Sequence, residues 1–259
     1  MSQSTPEGDD ALYPLWKKWD RPFAYTAEEA AYFTGETRDL AISGAEVLEI
    51  GFGSGAFLAW ARARGARVAG VEINSVLQEA ARREAIELLS PDLEAAARDH
   101  AGRFDTIVAF DVFEHLRPDD LVPALRATCA MLKPGGRLAL RFPNGQSPFG
   151  LAPQHGDPTH RSALSKALLE YHLQALPLDC VRYGGVYRIG AAGLKRRVGR
   201  WARGLLQDAL GAALNALYAS DIPFDPVVVL VLARRCDEPR DELERIPIAR
   251  TIPFERKTL

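Results

Sequence analysis

Two short stretches hold the side chains best suited to chemistry. The first is EIGFGSGA, Glu49 to Ala56. Its glycines let a backbone turn sharply and approach a ligand with no Cβ in the way. The helix-like run that follows would aim its free amide groups at that ligand. Glu72 ends the next apolar run, 21 residues after Gly51, where a carboxylate can accept hydrogen bonds from both hydroxyls of a ribose. Gly51, Gly53 and Ala56 fit the dinucleotide pattern G-x-G-x-x-G/A, but Gly51-Phe52-Gly53 fits the turns around other adenosine compounds equally well.

The second stretch is RFPNGQSPFGLAPQHGDPTHRS, residues 141–162, with His155, Asp157 and His160 inside six residues. A histidine there can act as a general base with Asp157 holding its tautomer, and His160 is the favoured residue. The same donors could bind a divalent metal. The plain alternative is that Asp157 and Thr159 cap the next helix while the histidines bond locally.

The elements that must position these groups are read from the apolar pattern. Strands are expected at 46–51, 67–73, near Ile86–Leu89, at 104–111 and at 136–145. Helices are expected at 55–65, from Ser75 onward and at 118–132, with a loop or helix at SPDLEAAARDH. Strands alternating with helices of this length specify an α/β fold, a parallel sheet with helices on both faces. Beyond it come a helix at 162–176, a strand at 179–190 with a glycine bulge, and a strongly apolar strand at 226–235. Thr26 and Glu29 form a capping-box signature within an aromatic-rich segment, Tyr13–Leu40, read as short helices beside the main domain. Those aromatics either pack into a core edge or form a lid over the substrate.

Composition narrows the classes. The chain has 259 residues, 47% of them hydrophobic and 25% charged, as in soluble globular proteins. A net charge of -2 argues against a nucleic-acid partner. Cys129, Cys180 and Cys236 lie too far apart for a disulfide framework or zinc site. The acidic, polar start is no signal peptide, so a cytoplasmic protein is expected, peripheral on the inner membrane if something holds it there. That something could be the segment 193–219. Leu194, Val198, Trp201, Leu205, Leu210, Leu214 and Leu217 recur at helical steps beside Lys195, Arg196, Arg197, Arg200 and Arg203, against one acid, Asp208. Such a helix suits an anionic membrane surface, or packs on its own sheet or on a second subunit. The expected organisation is a cap over 1–40 with a disordered start, a main domain over 41–235 with an insert at 191–221, and a mobile tail over 236–259.

Glu49 separates the two cofactor readings. Its carboxylate, two residues before Gly51, would repel a pyrophosphate and favour a cationic sulfonium with an ammonium group. The stretches FDTIVAFDVFEHL and MLKPGGRLALRFPN then follow in order. This set resembles the class I S-adenosylmethionine-dependent methyltransferases over roughly 45–145, together with the final strand. The resemblance implies a Rossmann-like, mostly parallel sheet whose last strand is antiparallel. It implies S-adenosylmethionine as cofactor, with Gly51, Phe52, Gly53 and Gly55 along the methionine and ribose, and Glu49 near the amino group. Glu72 would hold the ribose hydroxyls, Ile73 would lie on the adenine, and Asp111 and Val112 would border the methionine. Neither Ser90 nor Asp92 matches the family's adenine-amine contact, which stays open. His115 matches a common position, either orienting the loop or acting as acid/base. No metal is among the cofactors expected.

PNGQSPFGL…HGDPTH and the basic helix resemble a subgroup linked to bacterial surface-polysaccharide biosynthesis. That implies O-methylation of a sugar hydroxyl on a glycan or lipid-linked envelope precursor. The alternatives are a hydrophobic small-molecule or quinone-like acceptor, a non-catalytic binding protein on this fold, and an NAD dehydrogenase.

Overall fold

A computed structural model of the chain describes residues 15–17, 19, 21–190 and 194–236. The expected disordered start (1–10) and all but the first residue of the expected tail lie outside the described residues. Seven strands form one sheet: β1 (Glu46–Ile50), β2 (Arg67–Val71), β3 (Glu87–Leu88), β4 (Phe104–Phe110), β5 (Leu132–Pro143), β6 (Leu178–Gly185) and β7 (Val227–Arg234). Their order is β3-β2-β1-β4-β5-β7-β6. All neighbours are parallel except β7, which runs antiparallel to both β5 and β6. The expected fold class is therefore observed.

Helices α1 (Ala27–Glu36) and α2 (Ala56–Ala63) cover one face, where Val47, Val108 and Val229 meet Phe33, Phe57 and Trp60. Helices α4 (Leu93–Asp99), α5 (Pro118–Met131) and α7 (Lys166–Leu173) cover the other, against Leu48, Ile107 and Leu230. Alternate residues of each strand thus enter opposite cores, which is why the strands read as continuous apolar runs. Helix α3 (Ser75–Arg83) packs Leu77 and Ala81 on Phe52 and Leu58. Asn74 starts it by accepting from the Val76 and Leu77 amides.

The chain crosses from β1 to β2 to β3 in one direction, then returns to place β4 on the other side of β1. The sheet therefore opens a crevice at the carboxyl ends of β1 and β4, the switch point where open α/β sheets bind ligands.

Several expected boundaries move. The capping box on α1 is present, with the Glu29 amide bonded to Thr26 Oγ1 at 3.1 Å and the Thr26 amide to Glu29 Oε2 at 2.7 Å. The bulge expected at the glycines of β6 lies instead between Cys180 and Arg182, and the strand stops at Gly185. The helix expected over 162–176 runs only from Lys166 to Leu173, started by Ser165. The aromatics divide: Phe33 packs between Phe57 and Trp60, with centroids at 5.5 and 5.6 Å, whereas Trp19 and Phe23 lie elsewhere, as shown below.

Arg182 ties α1 to β6. It donates to Glu36 Oε1 at 2.9 Å and Asp39 Oδ2 at 2.6 Å, and the Tyr187 amide reaches Glu36 Oε2 at 2.6 Å. Glu36 is wholly buried. Arg182→Ala leaves that carboxylate uncompensated and should cost about 3–5 kcal/mol of stability. Adding Glu36→Gln should recover part of the loss in urea unfolding; a single variant as stable as wild type would refute the role of the network.

Helix α8 (Leu194–Tyr218) lies in the connection between β6 and β7. Asp208 pairs with Arg188 at 2.8 Å, and Asn215 caps the returning chain through Ser220 and Ile222. Trp201 is 66% exposed and Leu210 51%, with Val198, Leu205, Leu206 and Leu217 similarly open, whereas Leu214 is half-buried. These open side chains are not packed on their own sheet.

Candidate active site

The glycine turn is built as its sequence requires. Gly51, Gly53 and Gly55 have φ of +66°, +52° and +72°, a region open to glycine and strained for other residues. The Gly51 amide bonds to Val71 O at 2.7 Å, fixing the turn to β2. A Cβ on Gly51 would stand 2.6 Å from Val112 Cγ2, so the ends of β1 and β4 abut. Glu72 knits the turn from the other side. Its carboxylate accepts from the amides of Gly53 at 3.0 Å, Ile73 at 2.8 Å and Asn74 at 3.0 Å. Ile73 is an exposed apolar side chain beside it. Asp92 is engaged by the amides of Glu94 and Ala95, which cap α4.

Glu49, next to last in β1, has its side chain buried and its Oε2 without a hydrogen-bond partner. Burial pushes its carboxyl well above the usual range, opposed by Arg141 and reinforced by Glu72. The Leu58 backbone also hydrogen-bonds this carboxyl, so one buried oxygen, Oε2, is left open at the rim of the turn, where it fits a cationic ligand group. Asp111, one residue past β4, adopts φ +58°, a strained conformation of the kind that clusters at functional sites. It is clamped by Arg141, Nε to Oδ1 at 3.0 Å, while Arg141 Nη1 donates to Tyr32 OH at 2.9 Å. The pairing of Phe110 with Arg141 across β4 and β5 makes this contact possible.

A short 3₁₀ turn, Phe113–His115, continues from β4. The stretch 144–165 folds back on it: Arg161 and Ser162 amides bond to Glu114 O at 2.8 and 3.0 Å, and Ser162 Oγ to Leu116 O at 2.7 Å. That stretch is not one open loop. It contains a 3₁₀ turn, Pro148–Gly150, and helix α6 (Leu151–Gly156). Asn144 pins its start to Pro223 O and Asp225 O.

This return brings His160 and His115 together, ring centroids 4.7 Å apart at 76°. His160 Nδ1 lies 2.9 Å from Gln154 O. Because a carbonyl only accepts, Nδ1 carries the proton and Nε2 keeps its lone pair. The expectation that Asp157 holds this tautomer is corrected: its Oδ2 stands 3.9 Å from Nε2, too far to bond. Asp157 accepts instead from Thr159 N and Oγ1 and from Lys17 Nζ at 3.0 Å. Burial acts the other way, but these bonds hold its carboxyl down at about 2. His155 is exposed on α6 and is not brought into the cluster. Ser165, not Asp157 or Thr159, caps the following helix.

Glu114 completes the cluster. It is 0% exposed, neither carboxylate oxygen has a hydrogen-bond partner, and burial pushes its carboxyl up to about 8. Burial and the neighbouring His160 hold His115 below its ordinary value. Glu114 was overlooked in the sequence reading, although it adjoins His115. Both alternatives offered for the N-terminal aromatics occur, Phe33 in the core and others over the glycine turn. The Phe23 amide bonds to Ser54 O at 2.7 Å, and the Phe23 and Trp19 rings occupy the space a Cβ would need on Gly55 and Gly53. These aromatics cover the glycine turn.

A family model described as "Methyltransferase domain" matches residues 24–199. A ubiquinone biosynthesis O-methyltransferase of Albidiferax ferrireducens is 34% identical over 103 residues, 37% of this chain and 40% of that protein. The chain spans less than half the length of such curated relatives. Among solved structures, an S-adenosylmethionine-dependent methyltransferase of Archaeoglobus fulgidus has a TM-score of 0.62 at 20% identity, covering 86% of this chain and 99% of that one. A Burkholderia thailandensis 1,6-didemethyltoxoflavin-N1-methyltransferase, solved with S-adenosylhomocysteine, gives 0.52 at 17% identity over 91% and 92% of the two chains. These likenesses are of fold. With the family match covering most of its length, the chain belongs to the methyltransferase-domain family and has the fold of the S-adenosylmethionine-dependent enzymes.

Proposed function

We propose that this protein transfers the methyl group of S-adenosylmethionine to a hydroxyl oxygen of an amphiphilic acceptor at the inner membrane face. The observation that carries the chemistry is the His160 Nε2, left bare beside the switch-point crevice by the bond from Nδ1 to Gln154 O. The cofactor supplies a methyl already activated on a cationic sulfur. What remains for the protein is in-line placement and removal of one proton. Glu49 would face the ammonium, Glu72 the ribose hydroxyls, and Ile73 the adenine, with Gly51, Phe52, Gly53, Gly55, Asp111 and Val112 around the methionine. His160 would take the proton from the attacking hydroxyl, and His115, tied to Thr159, would orient the returning loop.

Two acceptor classes fit. A sugar hydroxyl on a lipid-linked envelope precursor follows from the stretch 143–160; a quinone-like lipid is favoured by the ubiquinone-pathway relatives. Both would be met at a membrane, and α8 supports that. Its apolar residues are open, and Lys195, Arg197 and Arg203 are exposed beside them. Among the described residues no helix is long and apolar enough to cross a membrane, so contact would be interfacial. Purified protein should sediment with phosphatidylglycerol vesicles at low salt, release as salt rises, and lose binding in Trp201→Glu. Failure to sediment would assign the stripe to a protein partner instead.

A further inference from the structure

We infer that Glu114, His115 and His160 form a binding site for one divalent first-row transition ion. The inference rests on the acceptor-side cluster of the proposed function and changes what that cluster does. One donor atom from each residue lies within 4.8 Å of the other two. His160 Nε2 and Glu114 Oε1 stand 4.0 Å apart, too far to hydrogen-bond and within an ångström of the roughly 3–3.5 Å that separates two donors on one ion.

The second observation is Glu114 itself. A carboxylate that is 0% exposed, with both oxygens unpartnered, is costly to bury unless something cationic meets it. Arg141 attracts it from a distance, but none of the ion pairs between described residues joins Glu114 to a Lys or Arg side chain.

The third is how the histidines are held. His160 commits Nδ1 to Gln154 O. His115 Nδ1 lies 2.9 Å from Thr159 Oγ1, whose own proton is spent on Asp157 Oδ1 at 2.5 Å. That hydroxyl can only accept, so His115 Nδ1 also carries its proton. Both rings therefore keep Nε2 as the nitrogen able to ligate, each braced by an acceptor behind it, the outer-shell arrangement typical of metal-binding histidines. Two imidazoles and a carboxylate suit a transition ion better than magnesium or calcium. Three protein donors leave positions open for an acceptor oxygen, whose proton the ion would make easier to remove.

The test is titration of the full chain with Co²⁺, followed by its visible absorption and by calorimetry. One ion per chain is expected, with affinity falling at least about tenfold in Glu114→Gln and in His160→Ala, while His155→Ala, an exposed histidine outside the cluster, binds as wild type does. Circular dichroism and S-adenosylhomocysteine affinity check that the variants fold. No uptake by wild type, or equal uptake by all four proteins, overturns the site. S-adenosylhomocysteine binding is read separately, so its absence would sink the methyltransfer proposal without obscuring the metal result.

Discussion

Glu72→Ala should weaken S-adenosylhomocysteine binding by about 100-fold or more. Hydrogen bonds to a charged group contribute about 1.5–3 kcal/mol each. Losing two from the ribose hydroxyls exceeds the roughly 1.4 kcal/mol that changes affinity tenfold, taken twice. The substitution also strips an acceptor from the amides of Gly53, Ile73 and Asn74. The glycine turn then keeps only its backbone tie to β2, Gly51 N to Val71 O, and the melting temperature should fall as well. Glu72→Gln keeps the shape and one acceptor oxygen, so it should stay folded and bind with intermediate affinity. Calorimetry on both variants separates the two effects. A Glu72→Ala protein that binds within a few-fold of wild type would mean that the carboxylate serves the turn alone.

His160→Ala should lower turnover by roughly 10²–10⁴-fold, the usual worth of a positioned base. Cofactor affinity should stay within about twofold, because the residue touches neither the glycine turn nor Glu72. If the residue holds an ion instead, turnover falls together with Co²⁺ uptake. Unchanged turnover would remove His160 from the mechanism under either reading.

How much of this was legible in the sequence depended on the range of the interactions. The β1–glycine turn–α2 unit and Glu72 were readable because period, glycine spacing and a strand-ending carboxylate are local signals. Strand β7 was readable from its run of valines and leucines. The α8 stripe was readable as a pattern, though its exposure was not. Contacts made by chain return were hidden. Glu114 meets His160 only because the amides of Arg161 and Ser162 dock on the turn after β4. Asp157 sits three residues from His160, yet its partners are Thr159 and Lys17, the latter 140 residues away. Sequence proximity suggested the wrong pair because Thr159 and Lys17 engage the Asp157 carboxylate, leaving its Oδ2 3.9 Å from His160 Nε2. The aromatics of the N-terminal segment read as either core edge or lid; Trp19 and Phe23 rest on Gly53 and Gly55 because those glycines have no side chain to exclude them.

The central claim is that the crevice at β1 and β4 takes an adenosine sulfonium rather than a dinucleotide. The buried Glu49 Oε2, which has no hydrogen-bond partner, is what separates them: a carboxylate oxygen there attracts an ammonium and repels a pyrophosphate. Calorimetric titration of the wild-type chain with S-adenosylhomocysteine and, separately, with NAD decides the matter. One S-adenosylhomocysteine per chain and no measurable NAD binding is the predicted result. Saturable NAD binding without S-adenosylhomocysteine binding would contradict it.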